Sequence, residues 1–266
     1  MVRIGVLADV HYPVPSSTEV MAALDDAFSW FEARGVEVVF VLGDLVQETG
    51  TRGTDVGNLS ALAGSFANRP QRVIPVMGNH DALAVEDRTF EDVFDVDRRG
   101  TTTIGGVTCI RCHTPLRGAG EPHAGVLGSE QRAFLLDTVQ GADRAVVLSH
   151  HPLYYHDLSA NPWFRTRPEH VFCLDRSRVE ERLLGEPSGV LATLNGHTHQ
   201  RDVTPNEHGV GVTLNPFSKH LPDDDSVYGA VATLDIQETG LRITERNVVC
   251  GSTEVVVNRN IQAPTD

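Results

Sequence analysis

Short apolar runs alternate with segments of helical periodicity in the first third of the chain. Three runs rich in β-branched residues are predicted as buried strands: 3–8, 36–42 and 72–77. Between the first two, apolar residues recur at spacings of three and four from Met21 to Phe31, after a capping pair of Ser16 and Glu19. A weaker helical pattern precedes the third run. This strand–helix order predicts a sheet with parallel pairing.

The alternation of strands and helices continues to about residue 194, and after it few helix signals occur. Three further strands are predicted at 102–112, 145–148 and 190–194, and two helices at 129–139 and 179–184. Residues 153–175 lack periodicity, which predicts a long surface excursion that could act as a lid. The last quarter alternates with few helix signals, so we expect meandering β-structure that forms a second sheet. Residues 1–266 are predicted to form a single α/β domain.

Composition and charge indicate which binding partners and which cellular compartment to expect. The formal net charge of −14 disfavours stable binding to nucleic acid or to an anionic membrane, because both are polyanions. The four cysteines are too scattered for a disulfide framework, and the apolar start is interrupted by Asp9, unlike a signal peptide or membrane span. A cytoplasmic protein is therefore expected. Lys219 is the only lysine among 22 basic residues.

Polar side chains that can bind metal follow the predicted strands. The ligand-type residues are Asp9, His11, Asp44, Asn79, His150, His197 and His199. Ligands bind beyond the carboxyl ends of strands in α/β sheets, where neighbouring loops converge, so these side chains should meet in space. Residues two apart on an extended segment point to the same side, which lets Asp9 with His11, and His197 with His199, each supply two ligands to one locus.

The mixture of imidazole and carboxylate favours Zn, Mn or Fe over calcium or a thiolate-bound structural zinc. Seven ligands exceed the needs of one tetrahedral ion and suit two ions if one carboxylate, for which Asp44 is the candidate, bridges them. Two cations about 3.5–4 Å apart clamp a phosphoryl group and lower the pKa of a shared water, which yields a hydroxide nucleophile. The pattern predicts a dinuclear-metal hydrolase of phosphate esters.

The motifs Asp-x-His, Gly-Asp, Gly-Asn-His-Asp, a later His and Gly-His-x-His resemble those of the calcineurin-like metallophosphoesterase superfamily over nearly the whole chain. The resemblance implies a four-layer α-β-β-α sandwich of two mixed sheets. It also implies two ligand sets that share Asp44: Asp9, His11 and His199 for one ion, and Asn79, His150 and His197 for the other. By the same resemblance His80 contacts the substrate phosphoryl group or protonates the leaving oxygen, and Asp81 orients the His80 ring.

Within the superfamily, Gly-Asn-His-Asp and the segment 149–152 look most like the cyclic-nucleotide and glycerophosphodiester phosphodiesterase branch. Gln47 departs from the protein-phosphatase pattern without removing a ligand. Two other functions stay open: a metal-dependent nuclease, which normally adds a DNA-facing cap, and a non-catalytic interaction scaffold, which typically loses ligands. The favoured partner is a small phosphate ester.

Several other polar residues have weaker claims to the site. His151 competes with His150 as the ligand, and only the family pattern favours His150. Cys109 and Cys112 are spaced like a metal or redox pair, but strand geometry points them to opposite faces and favours ordinary reduced thiols. The remaining candidates, equally compatible with packing or surface roles, are His113, His156, Asp157, Trp163, Phe164, His170, Lys219 and His220.

Overall fold

The structure, a computed structural model, describes residues 1–116, 123–185 and 188–260. Its strands are β1 (Val2–Leu7), β2 (Val38–Leu42), β3 (Arg72–Val76), β4 (Gly100–Ile104), β5 (Val107–Arg111), β6 (Ala145–Leu148), β7 (Val190–Asn195), β8 (Asp202–Pro205), β9 (Val210–Thr213), β10 (Ala230–Gln237), β11 (Gly240–Asn247) and β12 (Thr253–Asn260). Its α-helices are α1 (Ser17–Ala33), α2 (Arg52–Ala67), α3 (Asn79–Ala84), α4 (Asp87–Phe94) and α5 (Gly128–Gln140).

The first sheet has the strand order β12-β11-β10-β1-β2-β3. The pairs β1–β2 and β2–β3 are parallel, which confirms the pairing predicted from the strand–helix alternation. Strand β10 pairs antiparallel with β1, and β11 and β12 continue the sheet outward. The prediction that the last quarter forms a second sheet is therefore wrong for these three strands. Their apolar pattern shows that one face is buried, but it does not show which edge they join.

The second sheet has the order β4-β5-β6-β7-β9-β8, with parallel pairing from β5 through β9. The single strand predicted at 102–112 is wrong, because β4 and β5 form an antiparallel hairpin. Gly105 and Gly106 both have positive φ at its turn, a conformation that glycine adopts without steric cost. The second sheet is thus mixed, as the first is.

A continuous apolar core lies between the two sheets. Phe40 and Leu42 of β2 belong to this central core together with Val146 and Leu148 of β6, whereas Val39 packs on the opposite face against α1. Successive strand residues point to opposite faces, so a strand covered on both sides needs an uninterrupted apolar sequence. The helices cover the outer faces of both sheets, and the four-layer arrangement expected from the family resemblance is confirmed.

Helix α1 begins as its sequence predicts. The Glu19 backbone N–H donates to Ser16 Oγ at 3.3 Å, which satisfies one of the unpaired donors at the helix start. By contrast, the helix predicted at 179–184 is present only as short helical turns: residues 176–178 form a 3₁₀ turn, and Glu181–Gly185 form one π-helical turn. Within the described part of the chain, no helix is long and apolar enough to cross a bilayer.

Candidate metal centre

The predicted ligands meet at one edge of the two packed sheets. Asp9 and His11 follow β1, Asp44 follows β2, and Asn79 follows β3, all in the first sheet. The second sheet contributes through the loops after β6 and β7, which bear the remaining ligand candidates: His150, His197 and His199. We call the loops after β1, β2, β3, β6 and β7 the ligand loops. The side chains of the ligand candidates are buried, with a relative exposure of 5% or less.

Much of this site has left-handed backbone. Asp9, His11, Asp44, His197 and His199 all have φ between 48° and 73°, a region that costs energy for a residue with a Cβ. Backbone hydrogen bonds hold the conformation, since Asp9 N–H donates to Gly43 O at 3.1 Å and His11 N–H donates to Asp44 O at 2.9 Å. The fold therefore bends the chain sharply at each strand end and turns adjacent side chains into one space.

One group of donors consists of Asp9, His11, Asp44 and His199, whose ligand atoms all lie within 4.8 Å of one another. The Nε2 atoms of His11 and His199 are 3.0 Å apart, and His11 Nε2 is 3.8 Å from Asp44 Oδ2. His199 Nε2 is 3.9 Å from Asp9 Oδ1. This arrangement brings together the first ligand set that the family resemblance implies.

A second group surrounds His150. Its Nε2 lies 2.9 Å from Asn79 Oδ1 and 3.3 Å from Asp44 Oδ2, so Asp44 stands between the two groups as a bridging carboxylate would. His150, His151 and His197 also form a cluster with metal-ligand spacing. His151, however, has Nδ1 at 2.8 Å from Thr114 Oγ1 and Nε2 at 3.0 Å from the His123 carbonyl. With both ring nitrogens engaged, His151 is the weaker ligand candidate.

Backbone carbonyls orient three of the imidazole rings. His150 Nδ1 donates to Leu42 O at 2.9 Å, and His199 Nδ1 donates to Lys219 O at 2.5 Å. His197 Nε2 donates to His170 O at 2.9 Å. A carbonyl can only accept, so these three nitrogens carry the ring protons and leave the opposite nitrogens for a metal ion, as in metal-binding histidines.

The charges and donor atoms of the site fit bound cations. Burial raises the pKa of Asp9 to about 7, against the opposing influence of His150. Burial also lowers the pKa of His199 to about 3 and that of His11 well below its usual range, so these rings are neutral. Burial acts to raise the pKa of Asp44, but the neighbouring imidazoles, His150 first, outweigh it and hold this pKa well below its usual range, so the Asp44 carboxylate is ionised. The site therefore offers an ionised carboxylate and unprotonated ring nitrogens. Borderline divalent or trivalent metals prefer this donor set.

His80 lies at the side of the site, where Glu48 holds it. Its backbone N–H donates to Asp44 Oδ1 at 2.8 Å, its Nε2 is 4.0 Å from Asp44 Oδ2, and its Nδ1 is 2.5 Å from Glu48 Oε2. Burial lowers the pKa of His80, but the charges of Asp44 and Glu48 outweigh it, and the net shift is upward. Glu48 thus favours a protonated ring.

The Asp81 carboxylate, predicted to orient the His80 ring, accepts hydrogen bonds from two backbone amides in the structure. Asp81 Oδ1 accepts from Val46 N–H at 3.0 Å, and its Oδ2 accepts from Gly78 N–H at 2.8 Å. The carboxylate therefore joins the start of α3 to the loop after β2. Its position third in the helix makes these backbone amides the nearest donors. No sequence signal distinguished Glu48 from an ordinary loop residue.

Two motif glycines allow the ligand loops to pack together. A Cβ on Gly78 would lie 2.1 Å from the Asp44 backbone nitrogen, and one on Gly43 would lie 2.4 Å from His150 Nδ1. Neither distance is compatible with a real side chain. The glycines of the Gly-Asp and Gly-Asn-His-Asp motifs are thus explained by close packing around two of the ligand candidates.

Residues 153–175, here called the wall segment, form one side of a cavity of about 230 Å³ above the ligands. Trp163 contacts the His199 ring at 4.9 Å and Phe164 contacts the His197 ring at 5.0 Å, measured between ring centroids. Asn161 fixes both aromatics: its Oδ1 accepts from their backbone N–H groups at 2.9 and 2.8 Å, and its Nδ2 donates to Thr198 O at 3.0 Å. The wall segment is thus bonded to the Gly-His-x-His loop.

The other candidates divide between the cavity and the rest of the protein. His170 and Lys219 line the cavity, together with His123 and Arg167, which the sequence had not singled out. His123 Nδ1 lies 3.1 Å from Asn79 Nδ2. Four other candidates are absent from the described cavity lining: His113, His156, Asp157 and His220. Cys109 and Cys112 are buried free thiols whose pKa burial raises to about 12, which agrees with unreactive core residues.

Comparison with known proteins agrees with the fold and the motifs. The family model of calcineurin-like phosphoesterases matches residues 2–201, a range that contains every predicted ligand. No curated protein matches the chain at a significant level.

Three solved structures illustrate the range of similar folds. A dimetal phosphatase from Danio rerio has a TM-score of 0.73 and 14% identity, over 98% of this chain and 99% of that one. A purple acid phosphatase from yellow lupin (Lupinus luteus) seeds has a TM-score of 0.66 and 15% identity, over 98% of this chain and 53% of that one. GAP50, the anchor in the inner membrane complex of Plasmodium, has a TM-score of 0.63 and 11% identity, over 99% of this chain and 89% of that one. At such identities the likeness shows the fold alone.

Proposed function

This chain belongs to the calcineurin-like phosphoesterase family, and we propose that it hydrolyses small phosphate esters with two bound metal ions. One observation carries the proposal: seven donors from five separate strand ends converge in a buried site, and Asp44 lies between the two groups. Fold similarity alone is weaker support, because similar folds include an anchor protein as well as phosphatases.

Under this proposal Asp9, His11, Asp44 and His199 hold one ion, and Asn79, His150 and His197, with Asp44 shared, hold the other. Two ions at such a site supply positive charge for phosphoryl oxygens and acidify a water molecule. Mn, Fe and Zn suit the donors equally, because the set is mixed nitrogen and oxygen.

The chain's own residues hold His80 in position and keep a proton on its ring. His80 is placed beside Asp44, and Glu48 keeps a proton on its Nδ1 while leaving Nε2 directed towards the site. A protonated ring at this place can stabilise negative charge on a phosphoryl oxygen or donate to the departing alkoxide. The rings of Trp163 and Phe164 cover the two histidines of the Gly-His-x-His motif and restrict water access from that side.

Metal reconstitution tests the proposal directly. Protein stripped with a chelator and restored with Mn, Fe, Zn or Ni should bind about two ions per chain and cleave p-nitrophenyl phosphate or bis-p-nitrophenyl phosphate. Metal content is measured by elemental analysis alongside hydrolysis. Absence of turnover with every metal, at full metal content, would overturn the proposal.

The competing scaffold hypothesis makes the opposite prediction, because it requires no bound metal. Under it, the wild-type protein would carry less than one ion per chain, and Asp44→Ala would leave partner binding intact. The nuclease alternative predicts DNA binding that weakens steeply with salt, which the net charge of −14 disfavours.

A further inference from the structure

The only lysine of the chain lies in the cavity wall. Lys219 stands alone among 22 basic residues, all the others being arginine, and its side chain is 16% exposed. Its φ of 58° places it in left-handed backbone, and its carbonyl accepts the hydrogen bond from His199 Nδ1. The residue is thus fixed directly beside a candidate metal ligand.

The ammonium group of Lys219 has little anionic compensation in the described residues. Its Nζ donates to Gln47 Oε1 at 2.9 Å and lies 6.0 Å from the centre of the Trp163 ring. The nearest carboxylate recorded for it is Asp225, at 4.0 Å and 69% exposed, a pair of the kind that contributes little in water. An ammonium has three N–H donors, and the amide of Gln47 takes one.

Gln47 connects this lysine to the side of the site where His80 lies. Its Nε2 donates to Glu48 Oε2 at 2.9 Å, and the same carboxylate oxygen holds His80 Nδ1. Lys219 therefore lines the cavity on the side of His80. Arg167 is the second cation of the lining and is exposed, and none of the described carboxylates forms an ion pair with it.

The described cavity lining therefore contains two permanent cations, Lys219 and Arg167, that have no part in holding metal. Among the lining residues that the structure describes, Asp44 is the one carboxylate, and it is a candidate metal ligand. This composition departs from a chain whose net charge is −14. A bound phosphomonoester dianion has one more negative charge and one more unesterified oxygen than a diester.

We infer that Lys219 binds an unesterified phosphoryl oxygen and makes this site selective for phosphomonoesters over diesters. The inference rests on the proposed function, because it concerns the substrate class of the same site. Lysine suits the task since its ammonium is a compact point charge that can donate to Gln47 and to a phosphate oxygen together.

The first test compares two substrates with the same leaving group, p-nitrophenyl phosphate and bis-p-nitrophenyl phosphate. The wild-type protein should favour the monoester, and Lys219→Met should lower kcat/KM for the monoester about 10- to 100-fold, the effect of one charge-assisted hydrogen bond. The diester should change less than about 3-fold, because it lacks the third unesterified oxygen. Lys219→Arg should recover part of the monoester activity.

Arg165→Gln is the matched control, because Arg165 is an exposed cation of the wall segment that does not line the described cavity. It should leave both substrates unchanged. Elemental analysis of Lys219→Met must show the wild-type metal content. An equal loss on both substrates, or a wild-type preference for the diester, would overturn the inference.

The second test does not depend on turnover. Calorimetric titration at about pH 8, where inorganic phosphate is mostly a dianion, should show inorganic phosphate binding more tightly than dimethyl phosphate, with the difference reduced in Lys219→Met. If wild-type protein binds phosphate selectively but cleaves neither ester, the proposed hydrolysis fails while the anion site stands. Equal binding of both anions, or a selectivity that Lys219→Met leaves unchanged, would overturn the lysine assignment.

Discussion

The two sides of the cavity are held in different ways. The ligand loops leave the ends of β1, β2, β3, β6 and β7, and their left-handed residues are fixed by backbone hydrogen bonds between neighbouring loops. The wall segment, residues 153–175, contains no strand and one 3₁₀ turn at Pro168–His170. The backbone amides of its Trp163 and Phe164 donate to the side chain of Asn161, and Trp163 Nε1 also donates to His220 O at 3.2 Å.

This difference assigns metal binding and catalysis to the ligand loops and substrate selection to the wall segment. A site that must place metal ligands within a fraction of an ångström benefits from rigid strand ends, whereas a surface that contacts the rest of the substrate can vary without disturbing them. If the comparison is correct, changes in the ligand loops should abolish metal binding or turnover. Changes in the wall segment should alter stability and substrate binding and leave the metal content unchanged.

Asp44→Asn should have the largest effect. It removes the charge of the carboxylate that lies between the two groups, so metal content should fall below one ion per chain and turnover should fall to background. Elemental analysis and hydrolysis of p-nitrophenyl phosphate measure both. Retention of two ions in this variant would contradict the bridging role.

His80→Ala should retain the metal but lose turnover. Loss of a positioned proton donor should lower kcat about 10²- to 10⁴-fold with little change in metal content. The comparison with Asp44→Asn is informative because the two residues are neighbours in space with different expected roles. If both variants lose metal equally, the division between ligand and proton donor is wrong.

Glu48→Gln should have an intermediate effect. The amide keeps the shape of the side chain but removes the charge that favours a protonated His80, so kcat should fall about 10- to 100-fold and metal content should be normal. The alkaline limb of the pH–rate profile reports the effect independently, because activity that needs protonated His80 should be lost at lower pH once the pKa of His80 falls.

Asp81→Asn is the matched comparison, because Asp81 binds the backbone of Val46 and Gly78 and not the His80 ring. It should lower the free energy of unfolding by about 1–3 kcal/mol and leave the pH–rate profile unshifted. A profile shifted by Asp81→Asn but not by Glu48→Gln would restore the role that the sequence first assigned to Asp81.

Asn161→Ala should have the smallest effect on chemistry. It leaves the Trp163 and Phe164 amides and the Thr198 carbonyl without their partner, which should lower the free energy of unfolding by about 1–3 kcal/mol. Fluorescence should change, because Trp163 is one of two tryptophans and would lose its fixed contact with His199.

Ser159→Ala is the control within the wall segment, since its exposed hydroxyl donates to Asp157 and to no other residue that the structure describes, and stability should change by less than about 0.5 kcal/mol. Loss of metal in Asn161→Ala would show that the wall segment also supports the ligand loops. That result would contradict the proposed division between metal binding by the ligand loops and substrate contact by the wall segment.

Local patterns in the sequence predicted the elements more reliably than their assembly. The parallel β1–β2–β3 unit and the cap at Ser16 were correct, because buried strands and helix starts leave short-range signatures. The hairpin of β4 and β5 was missed, although Gly105 and Gly106 mark its turn. The placement of β10 beside β1 could not be predicted, because strand partners more than 200 residues apart share no local pattern.

What the sequence by itself determined was the set of ligand-type residues and their order at strand ends. Those residues are readable because parallel strands place their carboxyl ends together, and motif glycines mark where loops must pack closely. Only the tertiary structure decided that Glu48 and not Asp81 contacts His80, that His151 is engaged by Thr114 and the His123 carbonyl, and that Lys219 stands in the cavity. These contacts join loops from distant parts of the chain, and a side chain reaches its partner only after the backbone of both loops has been set.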